Sequence, residues 1–221
     1  MTTMTNQYRS GNLIIECLTL GPLDVNTYLV YDPQAGDGIV VDPAEDAPLL
    51  MNRLKELAWT TTRIFLTHGH ADHIAGLEAV RAATGAKVLC SQEDAPMLGD
   101  ARLNLSLFLD TAFTARPPET LVRHGDEIAI GRDRGSVIAV PGHTPGGLAI
   151  AFDQAVITGD ALFAGSIGRS DFPGGDGAQL VRSIRERLLP LGDRLALPGH
   201  GPSTNLSHEA VHNPFLTGGW Q

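Results

Sequence analysis

The chain has only two cysteines, Cys17 and Cys90, among 221 residues. That gives no basis for the disulfide framework of a small secreted domain. Both lie in apolar runs, where free thiols are usually buried. Basic side chains are scarce as well: 16 Lys and Arg face 25 Asp and Glu, a formal charge of −9. Phosphate recognition depends on clustered Lys and Arg, so no nucleic-acid partner is expected. Bound cations would neutralise part of the acid. No apolar run approaches the ~18–20 residues that span a bilayer, and no membrane partner is expected. The opening MTTMTNQYRS lacks the apolar core of a signal peptide. A soluble cytoplasmic protein is expected. Internal repeats, low-complexity linkers and a G-x-S-x-G nucleophile motif are also missing.

What remains suits one domain over 12–221 behind a polar tail over 1–11, with 43% hydrophobic residues to build a core. Short apolar runs rich in branched residues predict strands at 13–20, 27–31, 38–41, 63–67, 87–90, 127–130, 136–140, 148–152, 155–158 and 194–197. Helical spacing appears over 47–57 (Leu49, Leu50, Leu54, Leu57), 74–83 (Ile74, Leu77, Val80) and 176–189 (Leu180, Ile184, Leu188). These stripes read as core packing. Residues 91–126 are partly helical near 93–98 and then mixed, either a flap over a site or a long connection. The order of elements predicts an α/β sandwich with helices on its outer faces.

The chemistry concentrates in T-H-G-H-A-D-H-I-A-G, which places His68, His70, Asp72 and His73 on the turn between a strand and a helical stripe. Asp72 is also placed to cap that helix. His68 and His70, two residues apart, can aim at one ion, while Asp72 and His73 emerge beyond the turn toward a neighbouring position. Four ligands in six residues crowd a single tetrahedral ion, and two ions relieve the crowding. Three more strand-like runs end in a glycine followed by a candidate ligand: P-G-H-T-P-G-G presents His143, T-G-D presents Asp160, and P-G-H-G-P presents His200. Glycine there lets the backbone turn sharply and approach an ion.

Together these motifs resemble the metallo-β-lactamase superfamily from about residue 12 to the end. The stretch G-D-A-L-F-A-G-S-I-G-R-S-D-F-P-G-G-D from Gly159 and the tail H-N-P-F-L from His212 are similar to small, single-domain glyoxalase II-like hydrolases of bacteria. The resemblance implies an αββα sandwich with a dinuclear site at one edge of its sheets. It implies that His68, His70 and His143 hold one divalent ion and that Asp72, His73 and His200 hold the other, bridged by Asp160. Zinc, iron or manganese would serve, with zinc favoured. It further implies a bridging hydroxide attacking the carbonyl of S-lactoylglutathione or a related small acyl thioester, with Asp72 and Asp160 as the catalytic carboxylates. A thiolate leaves with little acid help.

Larger glyoxalase II enzymes carry a C-terminal helical domain that contacts glutathione, whereas only 21 residues follow His200 here. Arg169 stands in their basic position, where it can meet a substrate carboxylate or pair with Asp171. Asp171 and Pro202 stand near their tyrosines. An iron-dependent persulfide dioxygenase shares the G-R-S-D-F stretch but has P-A-H-D-Y where this chain has P-G-H-G-P. A lactonase can present nearly the same ligands. A β-lactamase is disfavoured by Asp160, where those enzymes usually place a cysteine. His208-Glu-Ala-Val-His212 matches a zinc-protease motif, but no third ligand follows, so it reads as surface, as does His124. The oligomeric state is open.

Overall fold

The computed structural model describes residues 6–57, 59–109 and 112–218. Strands β1 (Asn6–Ser10), β2 (Leu13–Leu20), β3 (Val25–Asp32), β4 (Asp37–Val41), β5 (Thr60–Phe65), β6 (Lys87–Cys90) and β7 (Thr120–Leu121) lie in that order in one sheet. Pairing is antiparallel from β1 to β4 and parallel from β4 to β7. Helices α1 (Ala47–Leu57), α2 (Ala71–Ile74), α3 (Leu77–Thr84) and α4 (Ala95–Leu98) fall within this half. The second sheet is built from β8 (Glu127–Ile130), β9 (Asp133–Ala139), β10 (Leu148–Ala151), β11 (Ala155–Gly159), β14 (Leu195–Pro198) and β15 (Thr204–Asn205). Between β11 and β14 the chain forms the hairpin β12 (Leu162–Phe163) and β13 (Ser166–Ile167) and the helix α5 (Gly177–Ser183). It closes with α6 (Leu206–His212) and α7 (Pro214–Thr217). This is the expected αββα sandwich.

Strand alternation explains the layers. In β4, Ile39 and Val41 point between the sheets, where Ile15, Val30, Val137, Ile150 and Ile157 meet them. Val40 points the other way, against Leu50 and Leu54 of α1 and Leu77 and Val80 of α3. In the second sheet Ile157 faces inward, while Val156 and Ala196 face Leu180, Ile184 and Leu188. Strands buried on both faces read as continuous apolar runs, as these do. Each fully buried Leu or Ile contributes about 1.5–3 kcal/mol. Charge also enters the outer layer: Glu16 is wholly buried beneath α1, and Arg53 of that helix meets it at 2.5 and 2.8 Å.

Three expectations change. Residues 6–10 are not tail: they pair along β2 as an edge strand, while residues 1–5 lie outside the described residues. The single helix expected over 74–83 begins at 71 and breaks at Gly76, whose N–H donates to Pro43 O at 2.8 Å. A Cβ at Gly76 would strike the Ala44 carbonyl, so glycine lets the two backbones touch. The helix expected over 176–189 starts at Asp176, whose carboxylate caps Gln179 N, but loosens into a π-type turn over Ile184–Leu188. The apolar stripe remains buried throughout.

Where β5, β9, β11 and β14 end, main-chain bonds join the sheets. Leu148 N–H donates to Thr67 O, and Asn26 N–H to Gly199 O, both at 2.7 Å. The loops leaving those strands therefore start from one rigid edge.

Candidate metal centre

His68 follows β5 by three residues, and His70 precedes α2 directly. Residue 70 occupies the helix-cap position without a side-chain bond, and Asp72 lies inside the first turn. The expectation that Asp72 caps the helix is therefore corrected; its carboxylate turns instead to His200 Nε2, 3.3 Å away. His143, Asp160 and His200 arrive on the loops after β9, β11 and β14. All seven expected side chains meet at one edge of the sandwich. His68, His70 and His143 form one triad and Asp72, His73 and His200 another, with potential ligand atoms within 4.8 Å in each. Asp160 lies between them: its oxygens are 3.4 Å from His73 Nε2, 3.5 Å from His200 Nε2 and 3.6 Å from His143 Nε2. A Cβ at Gly199 would strike the Asp160 carboxylate, which explains the glycine before His200.

Hydrogen bonds behind the histidines decide which ring nitrogen faces inward. His143 Nδ1 meets Arg169 O at 2.7 Å, and His200 Nδ1 meets Leu23 O at 3.0 Å. A carbonyl can only accept, so each Nδ1 carries the proton and each Nε2 offers its lone pair to the centre. His73 Nδ1 lies 2.9 Å from Asp42 Oδ2. Thr67 donates its hydroxyl to the same Asp42 oxygen at 2.6 Å, leaving its Oγ1 to accept from His68 Nδ1 at 3.0 Å. Only His70 points its Nδ1 inward, 3.0 Å from His143 Nε2.

Two residues that the sequence did not single out complete this framework. Asp42 is buried with φ +49° and accepts from Thr67 N and Oγ1 as well as His73. Its only sequence signal is an acidic residue ending the apolar run of β4. Asp94, also buried, accepts from Gly69 N (3.2 Å), Thr144 Oγ1 (2.7 Å) and Gly146 N (2.7 Å), and so ties the loop of His70 to the loop of His143. No motif marks it.

The centre is electrostatically divided. Burial, then the neighbouring imidazoles, push His68 well below the ordinary histidine range, and the same causes bring His70 to about 3. Burial opposes charge on His73, yet Asp72 and Asp160 overcome it and raise its pKa. Burial likewise works against Asp72 and Asp160, but His73 holds both carboxyls down. His68 Nε2 and Asp160 Oδ1 are buried without a hydrogen-bond partner among the described residues. Inward-facing imidazole nitrogens, ionised carboxylates and two buried atoms without a partner fit divalent cations. Arg169 and Asp171 pair at 2.8 and 2.7 Å near the opening. His208 and His212 stack on each other at the surface of α6, away from the centre.

A profile of the metallo-beta-lactamase superfamily matches residues 20–200. The chain belongs to that superfamily. A probable metallo-hydrolase of Bacillus subtilis, YqgX, is 38% identical over 206 residues, covering 91% of this chain and 96% of its own. The hydroxyacylglutathione hydrolase GloC of Haemophilus influenzae is 31% identical over 214 residues, covering 91% and 97%. Among solved structures, the B3 metallo-beta-lactamase BLEG-1 superposes with a TM-score of 0.86 at 36% identity, over 97% of this chain and 100% of its own. TTHA1623 in a di-iron-bound form gives 0.79 at 32%, over 90% and 99%. Membership in this superfamily, with the likeness to a probable metallo-hydrolase, supports a metal-dependent hydrolase.

Proposed function

We propose that the chain hydrolyses small acyl thioesters in the manner of glyoxalase II, with S-lactoylglutathione or a related thioester as substrate. The observation that carries this reading is the placement of Asp160 between two ligand triads, beside a cavity of about 670 Å³ that His70, Asp72, His143 and His200 also line. The likeness to GloC supports the thioester class, and the likeness to a di-iron protein supports a pair of ions. The triad His68, His70 and His143 would hold one divalent ion, Asp72, His73 and His200 the other, and Asp160 both. The donor set of imidazoles and carboxylates suits zinc, iron or manganese. When bound, such ions acidify water and polarise a carbonyl.

The chain's own residues do the rest. Asp72 faces the cavity and stays ionised, so it orients the attacking water and accepts its hydrogen bond. Asp42, through His73 and through Thr67 to His68, locks two imidazoles in one tautomer. Asp94 keeps His70 and His143 in register. The leaving thiolate needs no dedicated acid.

The test is metal content per chain, turnover of S-lactoylglutathione, and oxygen uptake on glutathione persulfide. Two ions and turnover without oxygen uptake are expected; one iron with oxygen consumption would replace this reading by the dioxygenase. Asp160→Ala is expected to abolish turnover and lower metal content, and full activity in that variant would remove Asp160 from its bridging role. Hydrolysis of a β-lactam is the second reading, favoured by the likeness to the B3 enzyme, and a chromogenic cephalosporin tests it in parallel.

A further inference from the structure

Beyond its ligating side chains the cavity changes character. Leu23, Leu105, Phe108, Leu109, Phe163 and Phe172 form its walls. They come from four separate segments: the turn after β2, residues 105–109, the hairpin β12–β13 and the loop that follows it. Phe108 is 75% exposed, Leu23 50% and Leu109 45%. Apolar surface left in water is unfavourable, and several segments presenting it to one opening mark a surface that a ligand covers.

The charge pattern narrows the ligand. Arg169 is the one Lys or Arg among the described residues lining this cavity. Asp171 holds it through two hydrogen bonds, and its guanidinium lies 4.1 Å over the Phe172 ring. The pair is close to neutral as a unit, so a carboxylate approaching Arg169 also meets Asp171. Glutathione carries two carboxylates and an ammonium. Against these walls those groups would lose water without gaining partners.

We infer that the site selects thioesters whose leaving thiol is apolar, an aryl or alkyl group seated against Phe108 and Leu109, over those of a charged peptide thiol. This rests on the thioester reading above. In the reaction the oxygen of water bonds to the acyl carbon, the carbon–sulfur bond breaks, and the departing thiolate takes the proton that water gives up. The acyl group stays small because His68, His70, His73 and His143 are buried, and the charge pattern bears on the sulfur side, which reaches the opening.

The metal-loaded full chain is assayed with two lactoyl thioesters, one of glutathione and one of benzyl mercaptan. Contact with the apolar walls is expected to favour the benzyl thioester in kcat/KM by about tenfold or more, chiefly through KM. Phe108→Ser is expected to reduce that ratio several-fold, and Asp171→Asn to shift it toward the glutathione ester by freeing Arg169. Equal or better turnover of the glutathione ester by the unaltered chain, or a ratio indifferent to Phe108→Ser, overturns the inference. Binding of the neutral dye N-phenyl-1-naphthylamine, followed by fluorescence, reads the pocket without turnover. If neither thioester is hydrolysed but the dye binds and Phe108→Ser weakens it, the thioester reading fails while the apolar pocket stands. If the dye does not bind, or binds the variant equally, the pocket inference fails by itself.

Discussion

Asp42 does not line the cavity beside the site, yet it fixes two of the five histidines there. Its Oδ2 accepts from His73 Nδ1 and from the Thr67 hydroxyl that in turn orients His68. Asp42→Asn keeps the shape but removes the charge and one lone-pair edge. Losing such an outer partner costs about 10–100-fold in metal affinity or activity. We expect the variant to lose metal on dialysis against a chelator that the parent chain withstands, with kcat falling alongside. Retention of both would demote Asp42 to packing. The charge of Asp42 was readable as a residue type but not as a role, because its three donors lie 25 and 31 residues away. His68, His70, Asp72 and His73 announced themselves by proximity in the chain, whereas Asp42 and Asp94 act only through proximity in space.

Among the elements, the long connection from β6 to β8 shows how a loop can be made to hold position. Arg81 of α3 is 4% exposed and reaches out to it. Its guanidinium donates to Arg116 O at 3.3 Å, Pro117 O at 3.0 Å, Glu119 at 3.1 Å and Glu78 at 2.6 Å, while Glu119 accepts from Val88 N of β6. The same connection carries Leu105, Phe108 and Leu109 to the cavity wall, so it is a flap anchored at its far end. Arg81→Ala leaves two carbonyls and two carboxylates short of a partner. We expect a loss of about 3 kcal/mol in urea-unfolding stability, with KM rising more than kcat falls. A change under about 0.5 kcal/mol would show that the network is dispensable. Composition alone left this segment ambiguous, since its mixed apolar and proline-rich pattern has no period. Periodicity located α1 residue for residue but could not see the break at Gly76, which is set by a backbone carbonyl from another loop.

For the molecule as a whole, the formal charge of −9 includes Asp42, Asp72 and Asp160, gathered around imidazoles at one edge of the sandwich. Divalent ions would relieve that concentration, so chelation should lower Tm, and readdition should restore it in proportion to the logarithm of free metal. The sign of the pH effect follows from His73. Its folded-state pKa lies above the ordinary value in the metal-free chain, held there by Asp72 and Asp160 against burial. That stabilisation is complete below the unfolded value and is lost as pH rises through the folded one. A metal must displace this proton, so the metal-induced rise in Tm should grow as pH rises from the ordinary histidine range toward the raised folded-state value. A rise that shrinks with pH would contradict the ligand role of His73. No helix among the described residues is long and apolar enough to cross a membrane.

By itself the sequence determined the layers and the side chains that gather at one edge of them. Apolar alternation and helical stripes are local consequences of strand and helix geometry, and the recurring strand–glycine–candidate-ligand pattern marks where three strands end beside one another. Tertiary structure alone decided three other things. It chose which histidine nitrogen faces inward, because the acceptors behind His143 and His200 are main-chain carbonyls of Arg169 and Leu23 that any residue type could supply. It turned residues 6–10 from an expected tail into a strand, because a polar segment pairs when an edge lies open beside it. It also chose between the two readings of Arg169 that the sequence left open, setting the guanidinium against Asp171 and over Phe172 at the opening, because neighbours in the chain meet only where the loop's backbone turns them to the same side.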